Sequence, residues 1–255
     1  MHTTSPIAVV VPVYNEGRVA DTLAALHGQQ RRHEVHHYIV DNGSTDDTRA
    51  RIDAFARTHD DFPLTVLEEA TKGTGAASDT GFRRAIDDGY VIVARTDGDS
   101  MPTRDWTTRI DHALGAGLDI QLLGGRSTAM RDRYYRRADR VLLPLAVTGA
   151  RLALSIQHRN GDYRRAVVGH NMATRARAYE MVGGFVRTAI DDCDEDVDYS
   201  LKIARVFGRA AIQIDPQLEV ATSMRRVRTY GIAGTAFHHL VPARRVRRGR
   251  DIDVR

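Results

Sequence analysis

Two groups of carboxylates in this sequence have the spacing that chemistry needs. Asp97-Gly98-Asp99 sets two acids one small residue apart, directly after the apolar run Tyr90 to Thr96. Both side chains can turn towards one divalent cation, and hard cations want oxygen ligands. A cation held there can bridge two phosphates and neutralise the charge on a departing diphosphate. The same tripeptide also makes an ordinary turn, because Asp and Gly favour turns for local reasons; the apolar strand ahead of it is what points to a site. The second group is Asp191-Asp192-Cys193-Asp194-Glu195-Asp196-Val197-Asp198, six acids in eight residues ahead of an amphipathic helical pattern. One or two acids at a helix start gain about 0.3–1 kcal/mol each from the helix dipole. Six repel one another, so a carboxylate that takes a proton from an attacking hydroxyl is expected among them.

Such groups need a frame that brings them together. The first hundred residues alternate short β-branched runs with helical patterns, the signature of a parallel sheet covered by helices. Strands are predicted at Ile7 to Val13, Val35 to Val40, Leu64 to Leu67 and Tyr90 to Thr96. Ser44 is predicted to cap the helix that carries Ile52 and Phe55. In open parallel sheets ligands bind beyond the carboxyl ends of the strands. The residues there are Pro12-Val13-Tyr14-Asn15-Glu16, Asp41-Asn42-Gly43-Ser44, Lys72-Gly73-Thr74-Gly75 and Asp97-Gly98-Asp99. Further on, the patterns predict a helix around Trp106, Ile110 and Leu114, with Trp106 in the core. They also predict a strand at Ile120 to Leu123, a long helix from Arg133 to Gln157, helices at Ala176 to Val182, Asp196 to Val206 and Thr229 to Leu240, and a strand at Ala211 to Ile214.

Composition bounds the class. The chain has 255 residues, 42% hydrophobic and 27% charged, which excludes disordered and collagen-like proteins and allows one compact α/β unit. Cys193 is the single cysteine, so no internal disulfide and no four-cysteine zinc site can form, and a reducing cytoplasm is expected. No run reaches the roughly 20 apolar residues of a spanning helix. Met1 to Pro6 lacks signal-peptide features, and Val141 to Ile156 reads as a buried or interfacial helix. Net charge is +4, with Arg244, Arg245, Arg247, Arg248 and Arg250 crowded near the end. That tail suits a solvated extension, an anionic membrane surface or a phosphorylated substrate; it is the only feature favouring nucleic acid, which is not expected as a partner.

Taken in order, these motifs resemble family 2 glycosyltransferases with the GT-A fold. VVVPVYNEG (9–17) is similar to the family's opening strand and loop, IVDNGSTDDT (39–48) to its second signature, and TDGDSMP (96–102) to its metal-binding segment. GHNMATRARAYEMVGGF (169–185) is similar to its acceptor-side floor, and EDVDYSL (195–201) to its acidic catalytic motif. The resemblance implies a GT-A, Rossmann-like, mostly parallel sheet flanked by helices. Residues 1–125 would form the nucleotide-sugar half, 126–242 the acceptor and catalytic half, and 243–255 a basic tail. It implies that Pro12, Tyr14 and Glu16 line the nucleotide pocket, with Lys72, Gly73 and Gly98 beside them, and that Asp41 meets the base, commonly uracil. Asp97 and Asp99 would hold manganese or magnesium and the diphosphate, with His238, or its neighbour His239, as a further metal ligand. Asp196 would be the general base of an inverting transfer, and Glu195 would orient it. His170 and Asn171 could reach a hydroxyl acceptor, phosphorylated or lipid-linked, with peripheral membrane contact; a satisfied loop histidine and a cap are the structural alternatives.

Two departures stand out. Ser78-Asp79 replaces the Arg-Asn of many relatives, so one donor contact is missing or comes from Lys72. The Gln-x-x-Arg-Trp motif of processive synthases is absent, which implies single transfer. Ser223-Met224-Arg225-Arg226 resembles the end segment of small bacterial relatives, where an Arg could meet the diphosphate; a solvated basic strand end is the structural alternative. A nucleotidyltransferase would carry an Arg-Lys loop after the first strand, where this chain has Tyr14-Asn15-Glu16; a non-catalytic nucleotide-sugar-binding protein would leave both acidic sites unused.

Overall fold

The computed structural model describes residues 5–30, 35–115, 117, 119–142, 145, 148–149, 166–187, 195–225 and 228. Eight strands form one sheet in the order β3-β2-β1-β4-β7-β6-β8-β5. The strands are β1 (Ile7–Val13), β2 (Val35–Asp41), β3 (Leu64–Glu68), β4 (Ile92–Arg95), β5 (Ser100–Pro102), β6 (Leu122–Ala129), β7 (Met172–Arg175) and β8 (Ile212–Thr222). The helices are α1 (Val19–His27), α2 (Thr48–Thr58), α3 (Thr74–Asp87), α4 (Trp106–Gly115), α5 (Ala176–Met181) and α6 (Glu195–Phe207).

The sheet centre is apolar on both faces because helices cover both. Every residue of β1 is buried, and its side chains alternate between two cores. Ile7, Val9, Val11 and Val13 join Leu23, Ile52, Trp106 and Ile110 on one side. Ala8 and Val10 join Phe82, Tyr179, Phe185 and Tyr199 on the other. Each fully buried aliphatic or aromatic side chain contributes about 1.5–3 kcal/mol, so these two layers fix the register, and the register fixes the site.

β1, β2, β3 and β4 are parallel, with Val13 level with Asp41 and Val10 level with Arg95. Their carboxyl ends therefore open on one edge. Antiparallel pairing of β7 with β4 sets Met172 beside Arg95, which brings Gly169, His170 and Asn171 to that same edge. Antiparallel pairing of β5 with β8 sets Ser100 beside Thr222, returning the chain to Asp99.

Several sequence expectations are corrected. The helix after β2 starts at Thr48, not at Ser44, because Asp46 Oδ1 accepts from the Thr48 N–H while the Ser44 hydroxyl turns away to accept from the Asn15 N–H. The strand predicted at 211–214 runs to Thr222, continuing past a bulge opposite Gly125 and Arg126. β5 and β7 are too short for periodicity to reveal. Residues 131–138 form turns, and helix begins at Asp139; residues 150–157 of the predicted helix, and the one predicted at 229–240, lie outside the described residues. Among the described residues no helix is long and apolar enough to cross a membrane.

Candidate active site at the carboxyl edge of the sheet

The loop after β1 is shaped by Asn15, whose φ of 47° lies in the left-handed region that Asn tolerates better than most residues. Its Oδ1 accepts from the Thr45 N–H at 2.8 Å, tying this loop to the one after β2. The turn sends Glu16 inward, where it is 4% exposed. One Glu16 oxygen accepts from the Arg18 N–H at 3.0 Å and the other from Arg225 Nη2 at 2.7 Å. Tyr14 carries Lys72 over its ring, with Nζ 3.9 Å from the centroid. Lys72 also donates to the Gly43 carbonyl at 3.3 Å. Asp41 is buried and accepts from the Ser44 N–H at 2.8 Å. Asn42, beside it, donates to the carbonyls of Glu69 and Thr71 and accepts from the Gly73 N–H at 2.8 Å, so the β2 and β3 loops move as one.

The two acids after β4 face this cluster. A Cβ at Gly98 would stand 2.9 Å from Val13 Cγ1 and 3.1 Å from Glu16 Cγ, so a larger residue would push the acid pair out of place. Thr22 of α1 holds the Gly98 carbonyl at 2.7 Å. Asp99 Oδ2 lies 3.8 Å from Arg225 Nη2, and the Asp99 carbonyl accepts from the Ser223 N–H at 3.3 Å. Arg225 thus spans Glu16 and Asp99.

Arg95 joins the two carboxylate groups. It is 3% exposed at the end of β4. Its guanidinium donates to Asp97 Oδ1 at 3.2 and 3.1 Å and to Glu195 Oε1 at 3.0 Å. Burial alone would favour losing the charge, but Asp97, Glu195 and Asp196 outweigh it and hold the guanidinium protonated. Asp196, at the start of α6, accepts from the Gly169 N–H and from its neighbour Val197 N–H, both at 2.7 Å, which orients both its oxygens. α6 packs against the start of α3 because Gly75 lacks a side chain: a Cβ there would stand 2.4 Å from the Val186 carbonyl and 3.2 Å from Glu195 Cβ. Contacts therefore run unbroken from Asp41 through Asn42, Gly73 and the α3 start to Glu195, Arg95, Asp97 and Asp99.

One expected residue is placed otherwise. Asn171 has no exposed surface: its Oδ1 accepts from Trp106 Nε1 at 2.9 Å, and its Nδ2 donates to the carbonyls of Arg126 and Leu218. Every polar atom is used inside the protein, so Asn171 locks α4 to β6 and β8 and does not face an acceptor. Asn171→Ala is expected to lower stability by about 3 kcal/mol, since it strands a buried indole N–H and two carbonyls, with acceptor KM unchanged at a temperature where the variant is folded; denaturant melts and kinetics check both. His170 is half-buried with Nε2 2.6 Å from Ser127 Oγ. His238, His239 and Asp191 to Asp194 lie outside the described residues.

The Ser78-Asp79 departure is structural. Asp79 is fully buried and accepts from Tyr179 Oη at 2.8 Å, Arg83 Nε at 2.9 Å and Arg187 Nη1 at 3.1 Å. Arg187 also reaches Glu69 at 2.6 Å. Burial would raise the Glu69 carboxyl, but hydrogen bonds from Thr80, the Thr71 N–H and Arg187 prevail and bring it down to about 2. Asp79 thus ties α3 to α5 and to the segment leading towards the acidic stretch.

Among the described residues no three acid or imidazole groups converge as a preformed metal cage. Two carboxylates on a glycine turn do suit a cation whose other ligands are phosphate oxygens and water, the mode magnesium adopts with nucleotides. Sequence reasoning missed Arg95 and Asn42. Arg95 had a legible signal, a lone cation at the end of a buried strand two residues before an acid.

Acids, glycines and a buried arginine on the carboxyl edge of a parallel sheet place the molecule among α/β proteins that handle anionic ligands at strand ends. The model of Glycosyl transferase family 2 matches residues 8–182, and the chain belongs to that family. It is 33% identical over 131 residues to Glycosyltransferase AglE of Haloferax volcanii, covering 49% of this chain and 40% of that protein. It is 29% identical over 158 residues to the polyprenol monophosphomannose synthase of Mycolicibacterium smegmatis, covering 60% of this chain and 57% of that one. The chain thus spans less than two thirds of either relative. Its fold is similar to the mannosyltransferase PcManGT of Pyrobaculum calidifontis, solved with GDP-Man and Mn2+, at a TM-score of 0.62 and 22% identity over 96% of this chain and 65% of that one. It is similar too to the glucosyl-3-phosphoglycerate synthase of Mycobacterium tuberculosis, solved with Mn2+ and UDP, at 0.63 and 18% over 94% and 81%. The GT-A type of sheet expected from the sequence is the one observed.

Proposed function

We propose that the chain transfers a sugar from a nucleotide diphosphate sugar, a UDP-sugar first among them, to an acceptor hydroxyl or phosphate carried on a lipid, with a divalent cation at Asp99 and Asp97. The observation that carries this is the continuous line of contacts from Asp41 to Asp99 and, through Arg95, to Asp196. Residues 1–125 supply the donor side: Asp41 and Tyr14 flank the base and ribose, Lys72 lies beside them, and Glu16 is neutralised by Arg225. Residues 126–242 supply the acceptor side. A divalent cation, when bound, would neutralise charge on the diphosphate.

The protein's own part is positioning and proton transfer. Asp196, held by two N–H groups, takes the proton of the attacking hydroxyl; an acceptor phosphate, already ionised, would need no base, so dependence on Asp196 distinguishes the two acceptors. With the hydroxyl deprotonated at Asp196 and the diphosphate leaving at Asp97 and Asp99, direct displacement would invert the sugar carbon. Arg225 and Arg95 keep the carboxylates from repelling the donor phosphates. The names of the relatives support the acceptor class: a polyprenol monophosphomannose synthase, and an undecaprenyl-phosphate 4-deoxy-4-formamido-L-arabinose transferase of Proteus mirabilis at 24% identity over 240 residues.

The test is incubation with UDP- or GDP-sugars, manganese and a polyprenyl phosphate, reading nucleoside diphosphate and glycolipid. Stoichiometric formation of both is expected. Pyrophosphate release from a nucleoside triphosphate and sugar phosphate would instead establish a nucleotidyltransferase, and binding with no product under any acceptor would leave a sensor.

A further inference from the structure

The segment 131–145 presents cations and aliphatic side chains outward and hides its acids. Arg131, Arg133, Arg136, Arg137 and Arg140 are all exposed, and among the described residues none of their guanidinium groups forms an ion pair; Arg136 meets Asp139 through its backbone N–H at 2.6 Å. The two acids of the segment point the other way. The Asp132 side chain is 2% exposed and accepts from Arg18 and from Ser223 Oγ. The Asp139 side chain is 1% exposed and paired with Arg228. The body of the protein neutralises both, leaving an outer face of one sign.

Where the basic turns give way to helix, the exposed residues become apolar. Val141 is 62% exposed, Leu142 40% and Leu145 62%. Spacings of three and four put Leu145 on the same helix face as Val141 and Leu142. Half of the exposed large hydrophobics of the described chain gather here, next to its densest run of described cations. A helix start with a basic collar and an aliphatic stripe is the composition that lies in a bilayer interface: arginines meet anionic headgroups and aliphatic side chains enter the acyl boundary. Nucleic acid asks for basic residues with exposed aromatic stacking platforms, whereas the aromatics of this segment, Tyr134 and Tyr135, are half-buried, with Arg133 already over the Tyr134 ring, and its exposed apolar side chains are Val and Leu.

We infer that this surface docks the protein on an anionic lipid bilayer. Its anchoring gives the docking a purpose. Ser223 links Asp132 to the Asp99 carbonyl, and Arg18 follows Glu16 by two residues, so the surface adjoins the diphosphate end of the site. A docked protein holds that rim close to the headgroup plane. That use rests on the lipid-borne acceptor proposed above, while the docking itself does not.

Co-sedimentation with vesicles tests it, using the full chain with phosphatidylcholine alone and with phosphatidylcholine and phosphatidylglycerol in equal parts. Binding is expected only to the mixed vesicles and should weaken with salt. Arg136→Gln with Arg137→Gln is expected to lower partitioning about thirty-fold, roughly fivefold per cation, and Val141→Ser with Leu145→Ser about tenfold or more. Release of nucleoside diphosphate from donor in solution should not change in either variant, which separates this surface from the transfer chemistry. Replacing Arg244, Arg245, Arg247, Arg248 and Arg250 with Gln should leave most of the binding. Wild-type protein that ignores mixed vesicles, or that loses them only with the tail arginines, would overturn the inference, as would capture of a single-stranded oligonucleotide in place of vesicles.

Discussion

Asp196→Asn is expected to bind donor and cation as the wild type does and to transfer sugar to a hydroxyl about 10²–10⁴-fold more slowly, the range that a positioned general base contributes. The substitution keeps size and removes the oxygen that takes the proton. It also sets an amide NH2 against one of the two N–H groups, from Gly169 and Val197, that the carboxylate accepts. Some loss of stability at the start of α6 should follow, so kinetics belong at a temperature where melts show the variant folded. The informative quantity is kcat at saturating donor, because a base acts in the transition state while donor KM reports binding. Near-normal transfer to a hydroxyl would remove Asp196 from that role.

Arg95→Met should be the most damaging change among residues that touch no substrate. It leaves Asp97, Glu195 and Asp196 facing one another around a cavity that held their shared cation. Removing one partner of a buried pair costs about 3–5 kcal/mol, and the low end is expected because Asp97 and Glu195 still reach solvent, at 34% and 17% side-chain exposure. A merely structural role would lower the melting temperature and leave the folded fraction normal. A positioning role should lower kcat about a hundredfold in the folded fraction and weaken manganese binding, as both acid groups lose their common reference. Arg95→Lys separates the two: its single ammonium can restore charge but not the fork that reaches Asp97 and Glu195 together. Recovery of stability without recovery of kcat is therefore expected. Full recovery of both would reduce Arg95 to a buried counter-charge.

Much of this was legible in the residues. β1 was readable to the residue because a strand buried on both faces is a continuous apolar run, and the motifs after each parallel strand fell on one edge because parallel strands all end there. The short strands β5 and β7 were not readable. They are three and four residues long, and their place is set by pairing with β8 and β4, partners distant in sequence. Asn171 was misplaced for a related reason: an Asn beside a His before a short element looks like a cap or a ligand, and only the tertiary position of Trp106 shows that its amide is spent inside. Asp79 illustrates the opposite case. Its departure from the family pattern was visible, but its use, holding Tyr179 and Arg187, depends on where α5 and residues 184–187 pack. Arg95 was overlooked because charged residues in a strand pattern are read as exposed, whereas a buried one announces partners.

The central claim is that Asp99, with Asp97, binds a divalent cation together with the donor diphosphate. Thermal melts of the wild type and of Asp99→Ala, with UDP- and GDP-sugars and with or without manganese, test it most directly. For the wild type, one of these donors with manganese at about a hundredfold excess over Kd should raise Tm by on the order of 5–10 °C. The donor alone should give a small fraction of that rise, and Asp99→Ala should show only the small fraction whether manganese is present or not. A wild-type shift indifferent to manganese, or an Asp99→Ala shift equal to the wild type's, would contradict the claim.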